Sequence, residues 1–272
     1  MSWIALRITP ESNRDGVIAA LFESGSQGVQ EDGTAVVTHF PSGAVIDDIR
    51  RAIINADPRA DVSITTAPDV DYSEWRASVS SHQLGELVIA PPWLTEGLDL
   101  QRAIVIDPAM AFGTGEHPTT RGVIRLMHGV IRHSDVVADL GAGSAVLSIA
   151  AIRLGAERVA AVEIDHDSIA NAEENARVNG VADRVEVIEG DARILLPLLA
   201  PVRVVLANIV SSVIIPLVPT MRGSLAAGGQ AILAGILLEE RAEMLAVLEA
   251  GGWKVEREDA EDVWWSVQIA PR

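Results

Sequence analysis

Residues 136–165 constrain the fold more than any other part of the chain, because they join a strand, a glycine turn, a helix and a second strand. The apolar run Val136–Leu140 leads into a glycine turn at Gly141–Gly143, and an alanine-rich segment of helical length follows. A second apolar run carries Glu163 near its end. This order predicts the opening of a nucleotide-binding α/β fold, in which the turn and the helix start approach the ligand with backbone N–H groups.

The polar residues around the turn indicate which kind of nucleotide fits. A dinucleotide fingerprint needs a third glycine, and Val146 stands at that position. Asp139 lies two residues before Gly141, where a carboxylate would repel a pyrophosphate and attract a cationic ligand. Glu163 follows Gly141 by 22 residues, near the spacing at which an acidic residue reaches ribose hydroxyls. S-adenosylmethionine combines a ribose with a sulfonium and has no phosphate, so the pattern favours this cofactor over an ordinary βαβ unit without a ligand.

The composition limits the classes of protein to which the chain can belong. Its 272 residues, 49% hydrophobic and 22% charged, fit a globular protein with one standard domain and a smaller one. The absence of cysteine excludes disulfides and thiolate metal sites, and His117 has no second ligand at metal spacing. The net charge of −17 argues against sequence-independent nucleic-acid binding. No apolar run has membrane-spanning length and no secretory pattern is present, so we expect a cytoplasmic protein without a metal, a membrane contact or direct nucleic-acid binding.

The order of the predicted elements divides the chain into two domains. Residues 1–66 follow the order β-α-β-β-α-β, which predicts a small α+β domain with a ferredoxin-like fold. Residues 67–83 are polar and predict a linker. Residues 84–272 contain the βαβ unit followed by further alternating strands and helices, which predicts an α/β, Rossmann-like domain.

Turn signals set several element boundaries in the second domain. We expect strands at Leu84–Ala90 and Leu100–Ile106. A helix is predicted over Ile214–Leu225, with its two prolines placing the start late. The last two strands are predicted to be joined by an acidic turn at Asp259–Asp262.

Two polar residues at strand ends and one at a helix start add three candidate ligand contacts, since ligands of such sheets bind at the carboxyl ends of the strands. Thr120 follows a glycine loop at a helix start, although helix capping explains Thr120 and His117 equally well. Asp191 follows the third strand of the second domain's parallel series, either as a ligand contact or as a cap of the next helix. Asn208 stands at the tip of the fourth strand, where a site role is favoured over that of a simple turn residue.

Four segments together resemble one family of methyltransferases. They are DPAMAFGTGEHPTT at 107–120, DLGAGSAVL at 139–147, VEID at 162–165 and LANIV at 206–210. The chain resembles the PrmA family, whose members methylate the large-subunit ribosomal protein L11, over its whole length, including the pair Glu74-Trp75. The block GTG-x-HPTT is the discriminating motif, because the glycine motif alone is common to many methyltransferases.

The resemblance implies a fold, a reaction and a set of contacts. It implies a class I methyltransferase domain with a mostly parallel seven-stranded sheet, preceded by a small domain that recognises the substrate. It implies methyl transfer from S-adenosylmethionine to lysine side-chain and/or N-terminal amines of protein L11, with Asn208 as the candidate catalytic residue. The family's cofactor contacts correspond to Thr120, Gly141, Glu163 and Asn208. The local pattern adds Gly143 and Asp191 as cofactor contacts.

The chain departs from the family pattern at several positions. Ala142 and Ala145 stand where the family usually has Cys and Gly, and Glu116 stands where Thr is common. Glu163 replaces the more usual Asp, but the acid is kept, so ribose binding should survive. Residues 79–83 lack the basic, aromatic stretch that often follows the EW pair, which affects substrate details more than cofactor binding.

Two other classes of function stay open. One is a class I methyltransferase that acts on another protein, a small-molecule amine or a nucleic acid. The net charge argues against nucleic acid, and the N-terminal domain argues against a small molecule. The other is a binding protein with an inactive cofactor fold, against which the intact set Asp139, Gly141, Gly143, Glu163 and Asn208 speaks. We expect a monomer.

Overall fold

The computed structural model describes most of the chain and divides it into two compact units. The described residues are 3–26, 29–41, 44–65, 79–106, 115 and 117–272. The first unit spans residues 1–78 and the second spans residues 79–272.

Parts of the predicted boundary and of the signature block lie outside the described residues. These parts are residue 66, the last of the predicted first domain, residues 67–78 of the predicted linker, which include the EW pair, and Gly113, Thr114 and Glu116 of the GTG-x-HPTT block. The predicted division into residues 1–66, a linker at 67–83 and residues 84–272 therefore stays a prediction.

The first unit is a four-stranded antiparallel sheet with two helices, in the predicted order β-α-β-β-α-β. Its sheet order is β2-β3-β1-β4. One core packs both helices on the sheet, with Leu6, Val17, Phe40 and Ile53 among its buried side chains. The elements are β1 Trp3–Thr9, α1 Arg14–Glu23, β2 Val29–Asp32, β3 Ala35–Pro41, α2 Ile46–Ala56 and β4 Asp61–Thr65.

A buried carboxylate ties the start of α1 to the end of α2. Asp57 accepts hydrogen bonds from the backbone N–H groups of Glu11, Ser12 and Asn13 at 2.8, 2.8 and 3.0 Å. These backbone donors hold the pKa of Asp57 well below its usual range. Asn13 caps α1 by accepting from Gly16 N–H at 3.0 Å.

A three-stranded sheet opens the second unit. Its strands, β5 His82–Leu84, β6 Leu87–Ala90 and β7 Ala103–Val105, lie in the order β5-β6-β7. The single strand predicted at Leu84–Ala90 is wrong, because Gly85 adopts a φ of +65° and turns the chain into a hairpin. The strand predicted at Leu100–Ile106 is shorter in the structure.

The rest of the second unit is a seven-stranded sheet covered by helices on both faces. The strand order is β10-β9-β8-β11-β12-β14-β13, and β14 runs in the opposite direction to the other six strands. The predicted Rossmann-like fold is confirmed. No helix in the described part of the chain is long and apolar enough to cross a membrane. The elements are α3 Pro118–Met127, β8 Val136–Leu140, α4 Val146–Arg153, β9 Arg158–Glu163, α5 His166–Val178, β10 Val185–Glu189, α6 Ala192–Leu199, β11 Val202–Asn208, α7 Ser211–Ser224, β12 Leu225–Leu237, α8 Arg241–Ala250, β13 Trp253–Glu261 and β14 Trp264–Pro271.

The strand order reverses beside β8, and this reversal places a ligand crevice. The chain proceeds from β8 to β9 and β10 on one side and to β11 and β12 on the other. Helices that leave neighbouring strands on opposite sides open a gap at the carboxyl ends of the strands, where α/β proteins bind ligands. One face of the sheet buries Val137 and Ile149, and the other buries Leu140 and Leu217, so both faces are packed.

Helix α7 begins earlier than its prolines predict. The expected start at Ile214 is wrong, since the helix begins at Ser211 and contains Pro216 and Pro219. The Ser211 hydroxyl donates to Glu240 Oε1 at 2.5 Å, which anchors the first turn. Each proline removes one backbone donor, but burial of the face that includes Leu217 outweighs this loss.

The acidic turn predicted at Asp259–Asp262 is also wrong. Strand β13 continues to Glu261, and Asp262, with a φ of +55°, begins the short connection to β14. Asp259 and Glu261 remain in the strand because they pair with arginines of α3. Arg125 Nε lies 2.8 Å from Asp259 Oδ2, and Arg121 Nε lies 2.9 Å from Glu261 Oε1. These ion pairs fasten α3 to the last hairpin.

Candidate active site

The glycine turn after β8 leaves no room for a side chain at its first position. Gly141 has a φ of +72°, and a Cβ built there would lie 2.3 Å from Ile209 Cγ2. Its N–H donates to Val162 O at 2.8 Å, which joins the turn to the end of β9. Glycine at 141 is therefore required both by its backbone angle and by the approach of the chain after β11.

Ala145 closes the same turn in an unusual backbone conformation. Its φ of 63° and ψ of 18° lie in the left-handed region, and its side chain is fully buried. An L-residue pays about 1–2 kcal/mol for this conformation, which glycine adopts freely. This is one of the positions at which the chain departs from the pattern of the family it resembles, so the turn must be held by its surroundings.

Glu163 lies at the end of β9 and faces the glycine turn. Its Oε2 accepts from Gly143 N–H at 2.8 Å, and its Oε1 accepts from Ile164 and Asp165 N–H at 2.8 and 2.9 Å. The residue is 8% exposed. A carboxylate has about four lone-pair sites, so three bonds leave acceptor capacity for a ribose hydroxyl.

Asp139 is a fully buried carboxylate directly beneath the turn. Its Oδ2 accepts from the Ser148 hydroxyl at 2.7 Å, while Oδ1 has no hydrogen-bond partner among the described residues. Burial raises the pKa of Asp139 to about 6, against the opposing effect of the Ser148 hydrogen bond. An unpaired buried carboxylate oxygen fits a cationic ligand such as S-adenosylmethionine.

Thr120 and Asn208 are brought together although 88 residues separate them in sequence. Asn208 Nδ2 lies 3.4 Å from Thr120 Oγ1, and Thr120 is fully buried in the first turn of α3. His117 caps this helix, since its ring accepts from Thr119 N–H at 3.4 Å. Capping thus explains His117, whereas Thr120 reaches the tip of β11. Their roles in cofactor binding stay predictions.

Asp191 caps α6. Its side chain accepts from Arg193 N–H at 2.8 Å and pairs with the Arg193 guanidinium, which lowers the pKa of Asp191. The sequence predicted either a helix cap or a ligand contact for Asp191, and the structure shows the cap. Asp191 also lines the cavity described next, so its predicted cofactor contact stays a prediction.

A cavity of about 310 Å³ opens at the carboxyl ends of β8, β9 and β10. This volume lies at the lower end of the range of small-molecule sites, and the walls are mainly apolar, as in such sites. The cavity is lined by Gly141, Val162, Ile164, Gly190, Asp191, Ala192, Arg193, Ile209, Ser212, Val213, Pro216 and Leu217.

Most of the apolar walls of this cavity were missed by sequence reasoning. Val213 lies before the helix start predicted at Ile214, and Ile164 and Ile209 were not among the predicted site residues. The sequence contains one signal for Ile164 and Ile209. They directly follow β9 and β11, and residues at these positions border a ligand that binds at the carboxyl ends of the strands.

Comparison with known proteins decides the family. The chain matches the family described as ribosomal protein L11 methyltransferase (PrmA) over residues 3–271. The chain belongs to this family. The predicted family and enzyme class are confirmed, and S-adenosylmethionine is the cofactor that a class I methyltransferase family implies.

Relatives of this PrmA family chain match most of its length. The ribosomal protein L11 methyltransferase of Pelotomaculum thermopropionicum is 39% identical over 220 residues, which cover 79% of this chain and 70% of that protein. The Thermus thermophilus protein of the same name is 35% identical and covers 92% of each chain. A crystal structure of ribosomal protein L11 methylase from Lactobacillus delbrueckii subsp. bulgaricus is 27% identical, with a TM-score of 0.64, and covers 71% of this chain and 100% of that one.

Proposed function

We propose that this chain transfers methyl groups from S-adenosylmethionine to lysine side-chain and/or N-terminal amines of ribosomal protein L11. One observation carries the proposal: Glu163, the glycine turn, Asp139 and the Thr120–Asn208 pair converge at the carboxyl edge of the sheet. They do so in a chain that matches the family from residue 3 to residue 271.

Different residues at this edge of the sheet suit different groups of the cofactor. Glu163 has spare acceptor capacity for ribose hydroxyls, and the apolar cavity bordered by Ile164 and Ile209 suits the adenine ring. The unpaired Oδ1 of Asp139 suits the cationic end. The bound cofactor supplies an electrophilic methyl group on a sulfonium.

We assign to Asn208 the role of accepting a hydrogen bond from the substrate amine. Because its Nδ2 donates to Thr120 Oγ1, its amide oxygen points away from that hydroxyl and is available as an acceptor. A lysine amine has a pKa of about 10.4 in water and must lose a proton before it can attack. Desolvation beside a positive charge lowers that pKa, and a fixed amide oxygen aligns the neutral amine.

We further propose that the first unit recognises the protein substrate. Its described residues contain one packed core and no glycine-rich ligand turn. A chain of net charge −17 suits a basic protein partner, and we propose a cytoplasmic monomer without direct nucleic-acid contact.

A fragment of residues 79–272 should bind the cofactor but lose methyl transfer to protein L11. Full-speed transfer by this fragment would contradict the recognition role.

Methyl transfer from isotope-labelled cofactor to purified ribosomal proteins tests the whole proposal. We expect label in protein L11, located on amines by mass spectrometry of its peptides. Label in another protein or in a small-molecule amine would favour the alternative substrate class. Absence of label with all of these acceptors, despite cofactor binding, would contradict the enzymatic proposal.

A further inference from the structure

Asparagines recur every four residues at 171 and 175 in α5 and at 179, the C-terminal cap of this helix, and the middle one reaches the glycine turn. Asn175 is 4% exposed, and its Nδ2 donates to Ser144 O at 3.0 Å. The same Nδ2 lies 3.1 Å from Asn171 Oδ1. A buried amide from a neighbouring helix thus contacts the backbone of the turn directly.

The contact fixes a peptide unit that the turn cannot easily hold by itself. The Ser144 carbonyl and the Ala145 N–H belong to one planar peptide group. Asn175 binds the carbonyl, and Ala142 O accepts from the Ala145 N–H at 2.8 Å. The plane is therefore held from both ends, directly before the left-handed Ala145.

The Ala142 carbonyl that accepts from Ala145 N–H belongs to the same peptide group as Gly143 N–H, and this group contacts Glu163. Gly143 N–H, two residues before Ala145, donates to Glu163 Oε2 at 2.8 Å. A rotation of the peptide between Ser144 and Ala145 would change the direction of the following helix start and of this N–H. The orientation of the turn therefore depends on a residue that lies outside it.

We propose that Asn175 is a positioning residue of the cofactor site, which acts through Ser144 to hold the glycine turn in its binding geometry. The inference rests on the proposed cofactor site at this turn. It explains how the chain retains an alanine in a conformation that favours glycine. Asn175 does not touch the reacting atoms; it orders the backbone that surrounds them.

Asn179 provides a matched control on the same helix. It is the same residue type, is 6% exposed and makes equally short hydrogen bonds. Its amide pairs with Val105 N–H and O at 2.8 and 2.7 Å and with Asn175 O at 2.8 Å, and none of these partners belongs to the turn. Its replacement should cost folding stability without disturbing the turn.

The experiment compares Asn175→Leu with Asn179→Leu in the full-length chain. Calorimetry with S-adenosylhomocysteine, the reaction product, should show about tenfold weaker binding for Asn175→Leu and binding within about threefold of wild type for Asn179→Leu. Thermal unfolding should show similar destabilisation of both. Hydrogen exchange of the 143–146 amides in the ligand-free proteins should accelerate in Asn175→Leu alone.

A further variant separates the two bonds of the Asn175 amide. Asn171→Ala removes the bond at 3.1 Å and keeps the bond to Ser144, so its affinity should stay near that of wild type. If Asn175→Leu does not fold, Asn175→Asp keeps the size and removes the donor, with the same readouts. Equal affinity and equal exchange of the turn amides in Asn175 and Asn179 variants would overturn the inference. Failure of the wild-type chain to bind S-adenosylhomocysteine would instead overturn the proposed function.

Discussion

Replacement of Glu163 by glutamine tests whether the arrangement at the end of β9 binds the cofactor. Both carboxylate oxygens of Glu163 accept backbone hydrogen bonds, Oε2 from Gly143 and Oε1 from Ile164 and Asp165. A glutamine has one acceptor oxygen and one NH2 donor group. The backbone N–H groups that face the NH2 lose their hydrogen bonds, and those that face the oxygen keep weaker bonds to a neutral acceptor. The bond that a ribose hydroxyl would donate to this carboxylate is also a hydrogen bond to a charged group, which contributes about 1.5–3 kcal/mol, so we expect cofactor binding to weaken roughly 10- to 150-fold.

Calorimetric titration with S-adenosylhomocysteine at pH 7 measures this change, with thermal unfolding as the measure of stability. Glu163→Asp is the matched control, because it keeps the charge and both acceptors and is the residue that the family usually has. Its dissociation constant should stay within about tenfold of wild type, closer than that of Glu163→Gln. A dissociation constant for Glu163→Gln within twofold of wild type would refute the reasoning, since the carboxylate would then serve only the fold.

Three further changes have defined outcomes. Because burial raises the pKa of Asp139 to about 6, the folded chain binds more protons than the unfolded chain between about pH 4 and 6, and the free energy of unfolding falls as pH rises through that window. Asp139→Asn should therefore remove this pH dependence and raise the free energy of unfolding at pH 7 while weakening cofactor binding, as denaturant titration and calorimetry measure. Asn208→Ala should lower kcat by about tenfold or more and change cofactor affinity less, which steady-state kinetics checks. Ala145→Val should destabilise the chain by more than about 1 kcal/mol in thermal unfolding, because a β-branched residue fits the left-handed region poorly, whereas Ala145→Gly should stay close to wild type.

The sequence could predict the centre of the second unit because its local signals agree there. Apolar runs, the glycine turn and Glu163 all indicate the same strand, turn, helix and strand, and no distant contact opposes them. The ferredoxin-like order of the first unit follows from local patterns of the same kind. Where propensity, period and turn chemistry point to one answer, tertiary packing has little to change.

The errors lie where distant contacts outweigh local signals. Pro216 predicts a late helix start, but Ser211 is anchored by Glu240, which lies beyond the next strand. Asp259 and Glu261 predict an acidic turn, but arginines of α3 more than 130 residues earlier hold them in a strand. No window of sequence contains both partners of these contacts.

The candidate site was partly predictable for the same reason. Glu163 and the glycine turn could be identified because they lie at fixed positions relative to predicted strands. The contact between Thr120 and Asn208 and the link from Asn175 to Ser144 depend on how separate elements pack. The sequence leaves a helix cap and a ligand contact equally open for Asp191, because both need a carboxylate at the end of a strand.

The ion pairs between α3 and the β13–β14 hairpin can form only late in synthesis, because their partners lie far apart in the chain. The glycine turn and Glu163 lie in the middle of the chain, whereas Asp259 and Glu261, the partners of Arg125 and Arg121, lie close to its C-terminal end. During synthesis the middle of the chain leaves the ribosome first, while the helix start that carries Thr120 still lacks its anchor. Helix α3 therefore gains its ion pairs only after Asp259 and Glu261 have been synthesised, more than 130 residues later than its own arginines.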